Sequence, residues 1–258
     1  MGTTSGLTPA LSKGGGGGGN LLQSPLLWRG LGEAPRPSFA AIFDLDGTLI
    51  DNTPYHLKSW QALFKNHGKG ELTKDTYYNE ISGVPVMETI KRIFGADRND
   101  EELKQLLNEK EDFYRKEYGP FVKPLNGLEN FLAELKNHGV KMALATSATV
   151  KDIDFVLDKI PIRADFDAII NSTMVSEPKP HPQIFLKAAE KLNTAPADCV
   201  VFEDSLAGIK AANSAGMKVI GITTSHTAAE LQPCSLVIND YSELSVNKMA
   251  ELFEKQDK

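Results

Sequence analysis

The stretch 39–48 most strongly limits the folds open to this chain. Its first five residues, 39–43, are mostly apolar, which predicts a short buried strand. Asp44 and Asp46 follow one residue apart, and Gly47 comes next. A strand that ends in acids and a glycine presents them at the carboxyl edge of a sheet, where open α/β sheets bind ligands.

Three interpretations of the two acids can be compared. A surface turn is the first, since Asp-Gly is a common turn pair. A calcium loop is the second, but the positions counted from Asp44 that need glycine and a terminal acid hold Leu49 and Tyr55. The third is an aspartate nucleophile with an acid/base two residues later, because carboxylates form aspartyl-phosphate intermediates. The pattern favours the third interpretation.

The composition restricts the partners and the location of the protein. The 258 residues, 41% of them apolar, suffice for one large domain or two modest ones. With 28 basic against 34 acidic residues and no basic block, we expect no nucleic-acid partner. No apolar run is long enough for a membrane span, so no membrane interaction is expected. Cys199 and Cys234 do not make a disulfide framework, which favours a reducing, cytoplasmic setting.

Residues 1–37 differ in composition from the rest of the chain. They hold six consecutive glycines at 14–19 and four prolines, and such a segment cannot offset the entropy of ordering. We predict a disordered tail. It lacks the continuous apolar core of a signal peptide, whereas an organelle transit peptide, although basic residues are few, and a mis-assigned start both stay open.

The segment 53–120 is predicted to be an all-helical cap domain inserted directly after the first strand. Apolar spacing predicts one helix over 55–66 and a second that runs from Val86 to a stop at Gly95. A third helix is predicted over 101–118. This insertion separates 38–52 from 121–258, which we predict to form one core domain.

From Pro124 onward the pattern alternates between strand and helix. Continuous apolar strands separated by helices indicate a parallel sheet covered by helices on both faces, that is, an α/β fold. Strands are predicted over 140–145, 168–170, 200–202, 219–222 and 236–238, and helices over 150–157, 183–192, 206–215 and 248–255, after a helix face carried by 128–135.

Three of these strands are followed by residues suited to a phosphate or a metal. Thr146 and Ser147 offer a hydroxyl and backbone N–H groups to a phosphate oxygen, or they only cap a helix. Lys179 lies in a loop that prolines stiffen, which fixes the direction of its ammonium group; the alternative is a solvated surface lysine.

Glu203 and Asp204 stand at the end of the predicted strand 200–202, just before a helix. Two acids at a helix start can simply complement the helix dipole. A hard divalent cation also requires carboxylate oxygens, and Mg²⁺ is usually held by one or two of them together with substrate phosphate. Asp44, the backbone carbonyl of Asp46 and Asp204 can provide that set.

Taken in order, these segments resemble the four motifs of the haloacid dehalogenase superfamily: 44–48, then Thr146, then Lys179, then Glu203 with Asp204. The resemblance covers residues 39 to about 240. It is closest to the beta-phosphoglucomutase-like branch, through His56 and its neighbours and through the stretch 202–209. This family implies a Rossmann-like core with a helical cap inserted after the first motif.

The resemblance also implies roles for individual residues. Asp44 would attack a substrate phosphorus, and Asp46 would protonate the leaving oxygen and then activate water. Low solvent access and a neighbouring carboxylate are expected to raise the pKa of Asp46. Mg²⁺ would be held by Asp44, Asp46 and Asp204, with Glu203 orienting water on the metal. The phosphate would be bound by Gly47, Thr146, Ser147 and Lys179.

The acid at position 46 narrows the range of possible reactions and favours phosphoryl transfer, because superfamily members that dehalogenate lack an acid there. Phosphonate cleavage is not favoured, since the cap shows no lysine in a recognisable motif. His56 resembles a residue of sugar phosphomutases that contacts the acid/base, and its alternative role is that of an ordinary cap-helix residue. Val86, however, stands where the mutase cap loop carries an arginine for the distal phosphate.

We therefore predict a Mg²⁺-dependent phosphatase that acts on a small phosphorylated metabolite, a sugar or polyol phosphate, as a monomer. Two alternatives accompany this prediction. One is a beta-phosphoglucomutase that interconverts sugar 1- and 6-phosphates, and the other is an inactive relative that only binds phosphorylated ligands.

Overall fold

The computed structural model describes residues 39–95 and 97–254. The tail predicted for 1–37 lies outside the described residues, as does Lys255, the last residue of the predicted terminal helix. The described residues contain one sheet of six strands, and every pairing in it is parallel. The strands are β1 (Ala40–Phe43), β2 (Lys141–Ala145), β3 (Ala168–Ile170), β4 (Cys199–Glu203), β5 (Lys218–Ile222) and β6 (Leu236–Ile238).

Nine α-helices occur within the described ranges. Five of them lie between β1 and β2, and the other four alternate with the later strands or close the chain. They are α1 (Thr53–Asn66), α2 (Lys74–Glu80), α3 (Val86–Phe94), α4 (Asp100–Tyr118), α5 (Leu128–Asn137), α6 (Val150–Leu157), α7 (Gln183–Leu192), α8 (Leu206–Ser214) and α9 (Val246–Glu254).

The sheet is covered by helices on both faces, as predicted from its continuous apolar strands. Alternate residues of β1 point to opposite faces. Ala41 and Phe43 belong to the core packed against α5, α6 and α9, whereas Ala40 and Ile42 belong to the core packed against α7 and α8. A third apolar cluster, which includes Trp60, is built by residues of 57–106.

The predicted α/β fold with an inserted helical cap is confirmed. The exact domain boundaries, with 38–52 and 121–258 in the core and 53–120 in the cap, stay a prediction. Within the helical insert, the short helix α2 was not predicted: it buries only Tyr77, so it has no apolar stripe. Its start is marked by the Thr73 side chain, which accepts a hydrogen bond from the Thr76 amide.

The strand order β3-β2-β1-β4-β5-β6 determines where a ligand can bind. The chain moves outward from β1 in one direction and then returns to continue on the other side, so the order reverses between β1 and β4. In open α/β sheets the crevice outside the carboxyl ends of the strands at such a reversal is the usual ligand site. Asp44 follows β1 at this point. Glu203 is the last residue of β4, and Asp204 comes directly after it.

Candidate active site

Asp44 and Lys179 meet at the carboxyl edge of the sheet. The Asp44 amide donates a hydrogen bond to the carbonyl of Phe202, 3.1 Å away, which continues the β1–β4 ladder and fixes the start of the loop. The Lys179 ammonium donates to Asp44 Oδ1 at 2.7 Å and to Glu203 Oε1 at 2.6 Å. All three side chains are buried. Lys179 therefore joins two of the segments that the sequence predicted would converge.

Glu203 is held by donors on both of its carboxylate oxygens. Lys179 occupies Oε1, while Oε2 accepts from the amides of Asp204 and Ser205 at 2.9 and 2.8 Å and from the Ser205 hydroxyl. Gly208 permits this arrangement, because a Cβ at that position would lie 1.7 Å from Oε1. The bonds of Glu203 fix both the ammonium of Lys179 and the turn that carries Asp204.

Asp204 is fixed by hydroxyl groups. Its Oδ1 accepts from Thr48 at 3.3 Å, and its Oδ2 accepts from Ser225. The backbone of Gly47 approaches the same carboxylate so closely that a Cβ there would lie 2.0 Å from Oδ2; the residue has φ of +75°. The Gly47 amide donates to Asn52 Oδ1 at 3.1 Å, and the phosphate-binding role predicted for Gly47 stays a prediction.

The charges of the site are unbalanced in a way that suits a divalent cation. Asp44, Glu203 and Asp204 bring carboxylate oxygens within 4.8 Å of one another, and all three are buried. Burial raises the pKa of Asp44 to about 7; Lys179 opposes this effect, and Glu203 and Asp46 add to it. Burial, then Glu203 and Asp44, raise the pKa of Asp204 well above its ordinary value.

Three carboxylates thus face the single ammonium of Lys179 in this cluster. Burial would lower the pKa of Lys179, but the charges of Asp44 and Glu203 raise it, so the ammonium stays charged. Oxygen ligands with an excess of negative charge are what a hard cation requires. The residues present therefore fit the predicted Mg²⁺, with Asp44 and Asp204 as side-chain donors. The predicted contribution of the Asp46 backbone carbonyl stays a prediction.

The structure corrects the expected pKa of Asp46. Burial raises this pKa, as expected, but hydrogen bonds and charge from His56 and the bond from Asn52 outweigh burial, so the pKa of Asp46 is lowered. The Asn52 amide donates to Asp46 Oδ1 at 2.5 Å, and His56 Nε2 lies 3.6 Å from the same oxygen. The prediction of a raised value was wrong because it considered burial and neighbouring acids alone.

His56 lies beside Asp46, as its position in the sequence suggested. Its Nδ1 lies 2.9 Å from the ammonium of Lys110, and its Nε2 lies 3.2 Å from the amide nitrogen of Asn52 and 3.6 Å from Asp46 Oδ1. Its ring stacks on Tyr114, with centroids 4.0 Å apart. Lys110 also pairs with Glu111 at 2.8 Å, and both are buried. Residues of α4 thereby orient His56.

Thr146 and Ser147 line the same cavity, which has a volume of about 320 Å³. The Thr146 hydroxyl accepts a hydrogen bond from the Ala148 amide at 3.1 Å, so it also shapes the turn after β2. The cavity is lined by every predicted site residue except Gly47, which directly follows the lining residue Asp46 in the chain. Its lining includes Asp44, Asp46, His56, Thr146, Ser147, Lys179, Glu203 and Asp204.

Several residues of the site were not predicted. Asn52 donates a hydrogen bond to the carboxylate of Asp46, and the ammonium of Lys110 contacts the ring of His56. Lys110 and Glu111 could have been noticed, because they continue the spacing of the apolar residues Leu106, Leu107 and Tyr114 and are therefore charges on a buried helix face. Thr224, whose hydroxyl donates to the carbonyl of Gly47, and Ser225 carried no such signal in the sequence.

The fold and the site define the class of protein: an α/β enzyme with an inserted helical cap and an acidic centre at the reversal point of a parallel sheet. The family model described as haloacid dehalogenase-like hydrolase matches residues 41–222. The chain belongs to the haloacid dehalogenase-like hydrolase family.

The relatives of this chain include proteins named as phosphomutases and proteins named as phosphatases. The beta-phosphoglucomutase of Bacillus subtilis is 32% identical over 227 residues, which cover 84% of this chain and 96% of that protein. A phosphorylated carbohydrates phosphatase of Thermotoga maritima is 31% identical over 181 residues, 70% of this chain and 83% of that protein. The crystal structure of beta-phosphoglucomutase from Clostridium difficile superimposes with a TM-score of 0.75 at 30% identity, covering 84% of this chain and 97% of that one.

Within the part of the chain that the structure describes, no helix has both the length and the apolar character needed to cross a membrane.

Proposed function

We propose that this enzyme is a Mg²⁺-dependent phosphatase that hydrolyses a small phosphorylated metabolite, a sugar or polyol phosphate, through an aspartyl-phosphate intermediate. The observation that carries the proposal is the convergence of Asp44, Lys179 and Asp204 on a cavity that Thr146 and Ser147 also line. Each of these residues has a function in phosphoryl transfer. Asp44, Thr146 and Asp204 directly follow β1, β2 and β4, and Lys179 comes from the loop between β3 and α7.

In the first step, Asp44 attacks the phosphorus and the bond to the leaving oxygen breaks. Asp46 donates a proton to that oxygen. Because His56 and Asn52 lower the pKa of Asp46 in the ligand-free site, Asp46 takes up this proton when the anionic substrate binds beside it. In the second step, Asp46 takes a proton from water, which attacks the phosphorus of the aspartyl phosphate and releases inorganic phosphate. Carboxylates serve as nucleophiles of this kind, and a positioned acid/base contributes about 10²- to 10⁴-fold.

The remaining residues stabilise negative charge. Lys179 orients Asp44 and offsets charge on the phosphate, while the Thr146 hydroxyl and the Ser147 amide donate to its oxygens. Asp44, the Asp46 carbonyl and Asp204 would hold Mg²⁺, and Glu203 would orient a water molecule on it. When bound, Mg²⁺ supplies positive charge that offsets these carboxylates and the phosphate.

The size of the cavity supports a small substrate. A volume of about 320 Å³ is near the lower limit of about 300 Å³ for ligand pockets. The name of the Thermotoga relative, a phosphorylated carbohydrates phosphatase, supports a sugar or polyol phosphate. The proposal includes a monomer, since the chemistry described above needs no residue from a second copy.

A beta-phosphoglucomutase is the second candidate, favoured by the Bacillus relative and by the contact of His56 with Asp46. The lining of the cavity argues against it. Among the described lining residues the lysines are Lys110 and Lys179, both already ion-paired, and there is no arginine. Val86 lines the cavity where a mutase is expected to carry a cation, while Glu111 and Asp152 already pair with Lys110 and Arg115, so these two pairs offer no spare positive charge. A bisphosphate would be poorly held.

The test is phosphate release from a panel of sugar, polyol and short-acid phosphates with Mg²⁺, using Asp44→Asn as the inactive control. Beta-glucose 1-phosphate belongs in the panel, with the product analysed for glucose 6-phosphate. Phosphate release without isomerisation supports the phosphatase. Isomerisation faster than release would establish the mutase, and tight binding without release would indicate the inactive relative.

A further inference from the structure

The loop after β5 returns to the acidic centre with three consecutive side chains. The Thr224 hydroxyl donates to the carbonyl of Gly47, and the Ser225 hydroxyl donates to Asp204 Oδ2. His226 Nδ1 lies 3.0 Å from the carbonyl of Asp204, which can only accept, so Nδ1 carries the proton. This loop is therefore attached to both segments that carry the proposed metal ligands.

Ser225 also contacts the first residue of α1. The hydroxyl oxygens of Thr53 and Ser225 lie 3.0 Å apart. An ionised Asp204 only accepts hydrogen bonds, so Ser225 uses its one proton on Asp204, and Thr53 must then donate to Ser225. A directed chain of hydroxyl groups thus runs from the start of the helical insert to the carboxylate of Asp204.

We propose that Ser225 is a positioning residue that fixes the carboxylate of Asp204 for the divalent cation and links it, through Thr53, to the start of α1. The proposal rests on the proposed Mg²⁺ site. Asp204 Oδ1 is held by Thr48 and Oδ2 by Ser225, so the loss of Ser225 leaves the carboxylate oriented from one side only. Partners that orient metal ligands typically change metal affinity or activity by about 10- to 100-fold.

A merely structural role would have a different signature. If Ser225 only satisfies a buried acceptor, its removal lowers stability and leaves the affinity for metal unchanged. If Ser225 orients Asp204, the affinity of the free enzyme for Mg²⁺ falls even in variants that are fully folded. The decisive readout is therefore the binding of Mg²⁺ alone, without substrate.

The experiment is a calorimetric titration of the full chain with Mg²⁺, comparing wild type, Ser225→Ala and Ser225→Thr. Thr223→Val is the matched control, because the Thr223 hydroxyl bonds Asn239 at an exposed position in the same loop. We expect the Kd for Mg²⁺ to rise about 10-fold or more in Ser225→Ala, to recover in Ser225→Thr and to be unchanged in Thr223→Val. An unchanged Kd in a folded Ser225→Ala variant would overturn the proposal.

The link to α1 is tested by Thr53→Val, which leaves both direct partners of Asp204 in place. We expect Thr53→Val to weaken Mg²⁺ binding when Ser225 is present and to have no further effect in the Ser225→Ala background. Equal effects in the two backgrounds would overturn the link. If Ser225→Ala is poorly stable, Thr53→Val alone still tests the link, because an unchanged Kd for Mg²⁺ in that variant would overturn it. Wild-type protein that hydrolyses phosphates but does not bind Mg²⁺ would refute the metal site and this role, while the phosphatase activity would stand.

Discussion

The ammonium of Lys179 lies 2.7 Å from Asp44 Oδ1 and serves as the counter-charge for the proposed nucleophile. It also lies 2.6 Å from Glu203 Oε1 and 4.9 Å from the centre of the Phe185 ring. With 2% of its side chain exposed, Lys179 is screened from water. The stability of the metal-free protein and the orientation of Asp44 therefore depend on the same cation.

Lys179→Met should lower both stability and activity. Removing one partner of a buried ion pair typically costs about 3–5 kcal/mol, because the remaining charge is left uncompensated. We expect a loss of that size in urea unfolding with EDTA at pH 8, together with strongly reduced hydrolysis of p-nitrophenyl phosphate. Lys136→Met is the matched control: its partner is Asp165, the lysine side chain is 56% exposed, and a loss of at most about 1 kcal/mol is expected. Equal losses in the two variants would contradict the assignment.

Mg²⁺ should stabilise the protein more at pH 8 than at pH 5.5. The folded-state pKa of Asp44, about 7, lies above its ordinary value of 3.8, and the pKa of Asp204 is also raised. Between pH 4 and pH 7 these two carboxyls thus bind more protons in the folded protein than in the unfolded chain, so the stability that they contribute to the metal-free protein is lost as the pH rises. Mg²⁺ competes with these protons, and its binding strengthens over the same range.

The measurement is the increase in Tm caused by saturating Mg²⁺ at the two pH values. Asp204→Asn serves as the control, and its increase should be small at both. An increase in wild-type Tm that is the same at pH 5.5 and pH 8 would show that these carboxylates do not titrate together with metal binding.

Asp46→Asn should separate the two chemical steps. A positioned general acid/base contributes about 10²- to 10⁴-fold, so steady-state hydrolysis of an alkyl phosphate should fall by that factor. Because p-nitrophenolate leaves without protonation, rapid mixing with p-nitrophenyl phosphate should still give a burst of about one product per active site, followed by slow turnover. Asp44→Asn should give no burst. A burst that is absent from Asp46→Asn but present in wild type would remove the acid/base assignment.

Val86→Arg should improve the binding of bisphosphates. Val86 is the first residue of α3, and it lines the cavity. A charge-assisted hydrogen bond from an arginine at this position to the distal phosphate would contribute about 1.5–3 kcal/mol. The inhibition constant of a hexose 1,6-bisphosphate should therefore fall by about 10- to 150-fold. Val86→Gln, which adds length without charge, should bind the bisphosphate like wild type. No change in Val86→Arg would mean that residue 86 does not face the distal end of the substrate.

Local patterns predicted most of the fold. The limits of α6, β3, α7 and β6 agree with those expected from the sequence, because each has a continuous apolar stretch or stripe between clear breaks. Helix α2 was missed because its one buried residue gives no periodic signal. The strand order and the register, by contrast, depend on contacts between distant segments.

In the candidate site, too, local patterns could be predicted, and contacts between distant segments could not. Acids, hydroxyls and a lysine that follow apolar strands could be predicted, because parallel strands bring their carboxyl ends to one edge. Asn52 and Ser225 could not, since each is a common residue in a polar loop and its role arises only from contact with Asp46 or Asp204. The wrong sign for the pKa of Asp46 has the same origin, because the partners that lower the pKa are supplied by the tertiary fold.

The most direct test of the account is to trap the phosphorylated enzyme. Wild-type protein turning over p-nitrophenyl phosphate is quenched and treated with borohydride, which reduces an aspartyl phosphate to homoserine, and the peptides are mapped by mass spectrometry. The account predicts homoserine at position 44, only when substrate is present, and none in Asp44→Asn. Homoserine at another aspartate, or sustained turnover with no residue modified, would contradict it.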